Sequence, residues 1–190
     1  MKRKVIVFAI IAAALVGAAA YARYRWNQMW RPYGDRGPVY DTKEISNGTF
    51  NVRITARHET GVYLGGAYYI FETAPPNSNA WREFVWLRMD DPHPIPDGLF
   101  QFVSNSIGYT HTGYKYVVTL DAGGTWNYWE PDKSLPPDWQ YSFRYIKDVR
   151  IEPNGTGVLH LYPFPDKNTK VPNLKTKDYG QHWTVATDEI

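Results

Sequence analysis

Two carboxylates recur in one chemical setting. Asp121 lies in Thr119-Leu120-Asp121-Ala122-Gly123-Gly124-Thr125-Trp126, and Asp178 in Thr176-Lys177-Asp178-Tyr179-Gly180-Gln181-His182-Trp183. Both stretches read Ser/Thr-x-Asp-x-Gly-x-x-Trp. A carboxylate at this spacing can accept backbone N–H bonds across a tight turn. The Thr ends one strand and the Gly supplies a positive φ. The Trp starts the return strand and packs back over the loop. Turn chemistry therefore explains every residue of the pattern. Thr119, Asp121, Gly123 and Trp126, with Thr176, Asp178, Gly180 and Trp183, read as structural hairpin residues rather than catalytic ones.

Other groups able to do chemistry are scattered. His58, His93, His111, His160 and His182 stand singly, with no two at ligand spacing. His93 follows Asp90 and Asp91 in Asp-Asp-Pro-His-Pro, the nearest approach to an oxygen/nitrogen ligand cluster. A Pro-stiffened loop capped by Asp explains that stretch equally well. No Ser-His-Asp order, phosphate-binding loop or dinucleotide fingerprint is visible. The residues thus predict no catalytic set, no metal and no cofactor.

The elements that must position these groups are strands. Beyond residue 38 the hydrophobic period is two: Phe50, Val52, Ile54 and Ala56 fall on one face. Similar runs follow at 68–73, 83–89, 100–103, 114–120, 145–151, 158–162 and 182–186. Turn clusters rich in Gly, Pro, Asn and Asp separate them. The one helix candidate is short, around 137–141. Many short strands at this spacing predict an all-β sandwich, barrel or propeller-like meander. A loose repeat is also present. Each unit reads strand, Gly turn, strand, then a strand into the Asp pattern, and the two Asp residues are 57 positions apart. A degenerate earlier unit spans Phe50–Trp86, with Glu72…Trp81 keeping its outline.

Phe100–Trp126, with Asn105-Ser-Ile-Gly-Tyr followed by the first Asp pattern, resembles one repeat of the BNR/Asp-box proteins. These include sialidases and propellers related to photosystem II assembly factors. The likeness covers roughly residues 99–187. It implies Asp-box hairpins on blade-like sheets. A closed propeller takes typically 4–8 blades, and this chain has room for about three, so the expected domain is a small incomplete propeller or a sandwich of blade-like sheets. A sialidase site would resemble three clustered arginines, a Tyr nucleophile with its Glu, and an acid/base Asp. Arg53, Arg57, Arg82, Arg88, Arg144 and Arg150 are present, as are 15 Tyr. However, the arginines alternate with apolar residues and read as outward-facing. Fold likeness is not function.

At the N-terminus, Lys2, Arg3 and Lys4 precede an uncharged run from Val5 to Ala22, and Arg23 and Arg25 close it. This is an export signal, with the positive flank favouring a cytoplasmic N-terminus and an uncleaved anchor. Ala20-Tyr21-Ala22 has the small-x-small form of a cleavage site and leaves release after Ala22 as the alternative. The absence of Cys excludes a lipoprotein anchor and leaves stability to packing alone. The first 25 residues hold five of the 21 Lys/Arg and no acid. That leaves 16 basic against 19 acidic side chains, a net −3, for the rest. No basic cluster for nucleic acid exists beyond the juxtamembrane stretch.

The expected organisation is a signal-anchor helix (1–22), a juxtamembrane linker (23–38) and an all-β domain (39–190). Eight Trp and 15 Tyr are heavy aromatic use. Trp139 and Tyr141 sit in a Pro-rich loop without strand alternation, which makes them candidate partner contacts. The predicted role is a non-enzymatic interaction module in the bacterial inner membrane. It is single-pass, faces the periplasm and binds a membrane-associated protein, as a subunit or assembly factor of a membrane complex. Two alternatives remain: an immunity or inhibitor protein against an exported toxin or hydrolase, and a carbohydrate-binding or glycosidase Asp-box protein.

Overall fold

In a computed structural model, the described residues are 37–59, 66–89, 92–135, 145–162 and 173–186. The expected anchor and linker lie outside them, apart from Gly37 and Pro38. Among the described residues no helix is long and apolar enough to cross a membrane.

Among the described residues, twelve strands form three antiparallel sheets of four. Sheet A holds β1 (Val39–Ser46), β2 (Asn51–His58), β3 (Ala67–Ala74) and β4 (Arg82–Met89). Sheet B holds β5 (Phe100–Phe102), β6 (Gly108–His111), β7 (Tyr116–Thr119) and β8 (Asn127–Trp129). Sheet C holds β9 (Tyr145–Ile151), β10 (Gly157–Tyr162), β11 (Asn173–Thr176) and β12 (Thr184–Val185). Each sheet is a simple meander of sequential strands. One helical turn, α1 (Pro131–Ser134), follows β8 with Pro at its start. The helix candidate at 137–141 lies outside the described residues.

Sheet B is the middle layer, and β7 shows why. Its Val117 points into a core shared with sheet A, among Val52, Ile54, Phe71, Phe84 and Phe100. Its Tyr116 and Val118 point into a second core with Val149, Ile151, Leu159, Leu161 and Leu174 of sheet C. All four β7 side chains are therefore buried, although a strand's side chains alternate between its faces. Sheet A shows the alternation expected of a terminal layer: Val52, Ile54 and Ala56 face the core. Arg53 on the other face meets its cross-strand partner Glu72 at 2.9 Å.

β1 has no apolar alternation, because its core-facing positions are Asp41, Lys43 and Ile45. Polar pairing satisfies two of them: the Asp41 carboxylate accepts the Ile95 N–H at 2.8 Å, and Lys43 pairs with Asp97. Edge strands commonly carry such charges.

In each core an aromatic contact crosses from one sheet to the next. Trp126 stacks flat on Phe84, with centroids 3.7 Å apart and planes 3° from parallel. Trp183 stands edge-on to Tyr116 at 5.4 Å. Phe84→Ala removes the ring that Trp126 lies on. It is expected to destabilise the domain by about 3 kcal/mol or more, read as a lowered urea midpoint. A shift below 1 kcal/mol would mean that the A–B contact contributes little to stability.

Candidate functional site

The two Thr-x-Asp-x-Gly-x-x-Trp segments connect the third and fourth strands of sheets B and C. Their geometry is nearly identical. Thr119 Oγ1 donates to Asp121 Oδ1 (2.9 Å) and accepts the Gly123 N–H (2.8 Å). Thr176 Oγ1 donates to Asp178 Oδ1 (2.7 Å) and accepts the Gly180 N–H (3.0 Å). Oδ1 of each Asp also accepts a backbone N–H four residues on, from Thr125 (2.8 Å) or His182 (3.0 Å). Inside each loop the Asp carbonyl accepts an N–H three residues on, from Gly124 (3.2 Å) or Gln181 (3.3 Å). The central residues have φ of +56° and +81° (Ala122, Gly123) and +60° and +83° (Tyr179, Gly180). These are the marks of a type I′ turn, which matches strand twist in hairpins.

Glycine is required at the second central position for two reasons. The left-handed φ is one. The other is close approach to the preceding sheet: a Cβ on Gly123 would stand 2.5 Å from Thr73 Oγ1, and one on Gly180 would strike the Tyr116 ring. Each hairpin is thus fastened to the sheet before it. The fourth-position N–H of each motif reaches a neighbouring turn, Ala122 to the Ser106 carbonyl (2.8 Å) and Tyr179 to the Gly155 carbonyl (2.9 Å). Arg82 of sheet A donates to the carbonyls of Gly123 and Gly124, both at 2.7 Å. The Tyr116 hydroxyl of sheet B donates to the Tyr179 carbonyl at 2.7 Å.

The seventh motif position was not singled out by the pattern. Thr125 Oγ1 donates to Asp121 Oδ2 (2.8 Å), and His182 Nδ1 lies 2.6 Å from Asp178 Oδ2. A hydroxyl and an imidazole do the same work there. The available signal was that both residues carry a polar group at one offset from the Asp. Sheet A lacks the motif. Pro75-Pro76-Asn77-Ser78 turns instead with the Ser78 N–H on the Pro75 carbonyl (3.2 Å) and Asn77 at φ +58°. Its Trp81 carries the Arg53 guanidinium 4.3 Å above the ring.

Electrostatically the motif carboxylates are tuned by their own loops. Partial burial pushes Asp121 up, but the N–H and hydroxyl of Thr125 and the hydroxyl of Thr119 outweigh it. Its carboxyl titrates below the ordinary range. Burial likewise raises Asp178, and the bonds from His182 and Thr176 bring it below that range.

The remaining chemistry-bearing residues are dispersed. Arg57 donates to the Gly37 carbonyl (3.2 Å), Arg88 pairs with Glu59 (3.0 Å) and Arg150 with Glu152 (2.8 Å). His93 is held through its carbonyl, which accepts the Tyr69 and Tyr40 hydroxyls at 2.7 and 3.1 Å. Its neighbours Asp90 and Asp91 lie outside the described residues. Burial lowers the His111 pKa against an opposing pull from Asp148. Among the described residues no three His, Cys, Asp or Glu form a group able to hold a metal. A cavity of about 550 Å³ lies on the outer face of sheet C beside the second motif, lined by Arg150, Val158, Lys175 and His182. Trp139 and Tyr141 lie outside the described residues.

No family model, no curated protein and no solved structure matches this chain.

Asp121→Ala and Asp178→Ala are each expected to destabilise the domain by about 1–3 kcal/mol, because turn amides lose a charged acceptor. A pH titration gives the sign. The folded-state pKa values lie below the unfolded value of about 3.9. The stabilisation is therefore complete above that value and disappears as pH falls through the folded value. The melting temperature of the wild type should drop below about pH 4, and the Asp121→Asn/Asp178→Asn double variant should drop less steeply. Equal slopes would show that these carboxylates do not gain their protons on unfolding.

Proposed function

We propose that this chain is a membrane-anchored, periplasm-facing Asp-box module that acts by recognition rather than catalysis. It would serve a membrane protein complex as accessory subunit or assembly factor. In this reading the three sheets are blades of an incomplete propeller, and the two motifs are its structural boxes.

The observation that carries the proposal is the difference between the two ends of the stack. At one end the motif turns and the turns around Asn47, Ser104 and Asn154 satisfy their own polar groups. The Asn47 amide also bridges to the Ser104 and Asn105 carbonyls. From the other end leave the connections 60–65, 136–144 and 163–172, because β2, β8 and β10 all finish there. Loops carried on a rigid scaffold are the usual seat of binding. One of these holds Trp139 and Tyr141, residue types enriched in binding hot spots.

Two measurements test the reading. A reporter fused after Ile190 should be active only in the periplasm, and the protein should stay with membranes through a high-salt wash. A soluble species beginning at Arg23 would remove the anchor. Trp139→Ala should lower recovery of a protein partner from solubilised membranes while shifting the melting temperature less than Trp126→Ala does. Equal melting losses would place Trp139 in the core and move the contact elsewhere.

A further inference from the structure

The end opposite the motif turns carries a group of described surface residues that starts where the chain enters the fold. Gly37 donates to the His58 carbonyl at 3.1 Å, and the next residue, Glu59, pairs with Arg88 at 3.0 Å. Arg88 and Tyr114 line one cleft. Tyr114 then packs on Tyr145 with centroids 4.9 Å apart, and Tyr145 faces Tyr162 across β9 and β10. Three of the most exposed large hydrophobic side chains sit here: Val39 (45%), Tyr114 (51%) and Tyr162 (45%).

Charge on this surface is layered. The carboxylates Glu59 and Glu130 are largely covered, at 15% exposure each. Their cationic partners stand outside: Arg88 at 48%, Lys115 at 43% and Lys133 at 72%. Lys147 is exposed beside Tyr145 and Tyr162. In these three pairs the cation therefore stands outward of the carboxylate it pairs with. Asp148, next along β9, is drawn toward His160 at 2.6 Å.

We infer that this end lies on an anionic lipid surface, the headgroup layer of the bilayer that holds residues 5–22. The inference rests on the anchor proposed above. Exposed tyrosines with outward cations match the chemistry of a membrane interface, where Tyr and Trp settle at headgroup depth and Lys and Arg meet anionic lipid. The geometry of the tether adds a second argument. Only residues 23–36 separate the apolar run from Gly37, so the fold begins within about 50 Å of that run even at full chain extension. Gly37 enters on this same end, so this surface, and not the motif turns, lies nearest the point of attachment. Docking here would fix which way the module faces a neighbour in the membrane.

The chain has no Cys, so single labels can be placed freely. The full-length protein is reconstituted in vesicles containing phosphatidylglycerol and a lipid with a nitroxide on its headgroup. A fluorophore is attached at Tyr114→Cys, Tyr162→Cys or, at the motif end, the exposed Asn79→Cys. Melting curves confirm that each labelled protein is folded. The expected result is loss of fluorescence at 114 and 162 and none at 79. The loss should shrink in phosphatidylcholine vesicles, on raising salt from about 0.1 M to about 1 M, and in the Lys115→Glu/Lys147→Glu variant. If the protein floats with the vesicles but 114 and 162 are quenched no more than 79, the lipid surface is wrong and the anchor stands. If the protein does not float, the anchor reading fails and this inference falls with it.

Discussion

Trp126 grows from the hairpin of sheet B yet lies flat on Phe84 of sheet A. It can do so only because the turn before it is held closed by the Asp121 carboxylate and the Thr119 hydroxyl. Trp183 repeats the arrangement one sheet later, against Tyr116 and Trp129. A four-stranded sheet of this size cannot bury both faces alone, and three of them need a device that keeps neighbours in register. Two tryptophans set at fixed positions by two rigid turns supply it. The same turns bring Gly123 and Gly180 so close to the preceding sheet that no side chain fits. Turn chemistry and inter-sheet packing are therefore one constraint. Both indole N–H groups are buried without a hydrogen-bond partner among the described residues, so apolar packing outweighs an unmet donor there.

This constraint divides the molecule's chemistry. The polar groups that look reactive in the sequence, Asp121, Asp178 and His182, are engaged with their own loops and with one another. At the opposite end the rings of Tyr114 and Tyr162 stand exposed. Stability by packing alone, in a chain without cysteine, fits a fold that invests its aromatics between sheets. The outer faces of sheets A and C are instead covered by paired charges such as Arg53–Glu72 and Arg150–Glu152.

Much of the fold was legible in the sequence where burial is one-sided. Val52, Ile54 and Ala56 alternate with Arg53, Thr55 and Arg57, so β2 could be read directly. β1 could not, because Asp41 and Lys43 take core-facing positions and only their partners at Ile95 and Asp97 make that tolerable. β6 was legible only through the repeat outline and not through alternation: the buried Thr110 hydroxyl donates to the Leu99 carbonyl, a bond no hydrophobic pattern reveals. At the motifs, Thr, Asp, Gly and Trp were visible because each has a backbone reason to be there. Arg82 was read as an outward strand arginine. It is exposed, but its guanidinium reaches across to the Gly123 and Gly124 carbonyls of the next sheet. Strand parity predicts the face a side chain leaves from, not how far a long one travels.

Hydrogen exchange on the Asp178→Ala variant tests most directly whether the motifs fasten sheet to sheet. The amides of β9 to β11 and of Tyr116 and Val118, which share a core with Trp183, should lose protection together, while those of β2 and β3 keep theirs. If the loss is confined to residues 176–183, the motif stabilises only its own turn, and another interaction must hold the sheets in their stack.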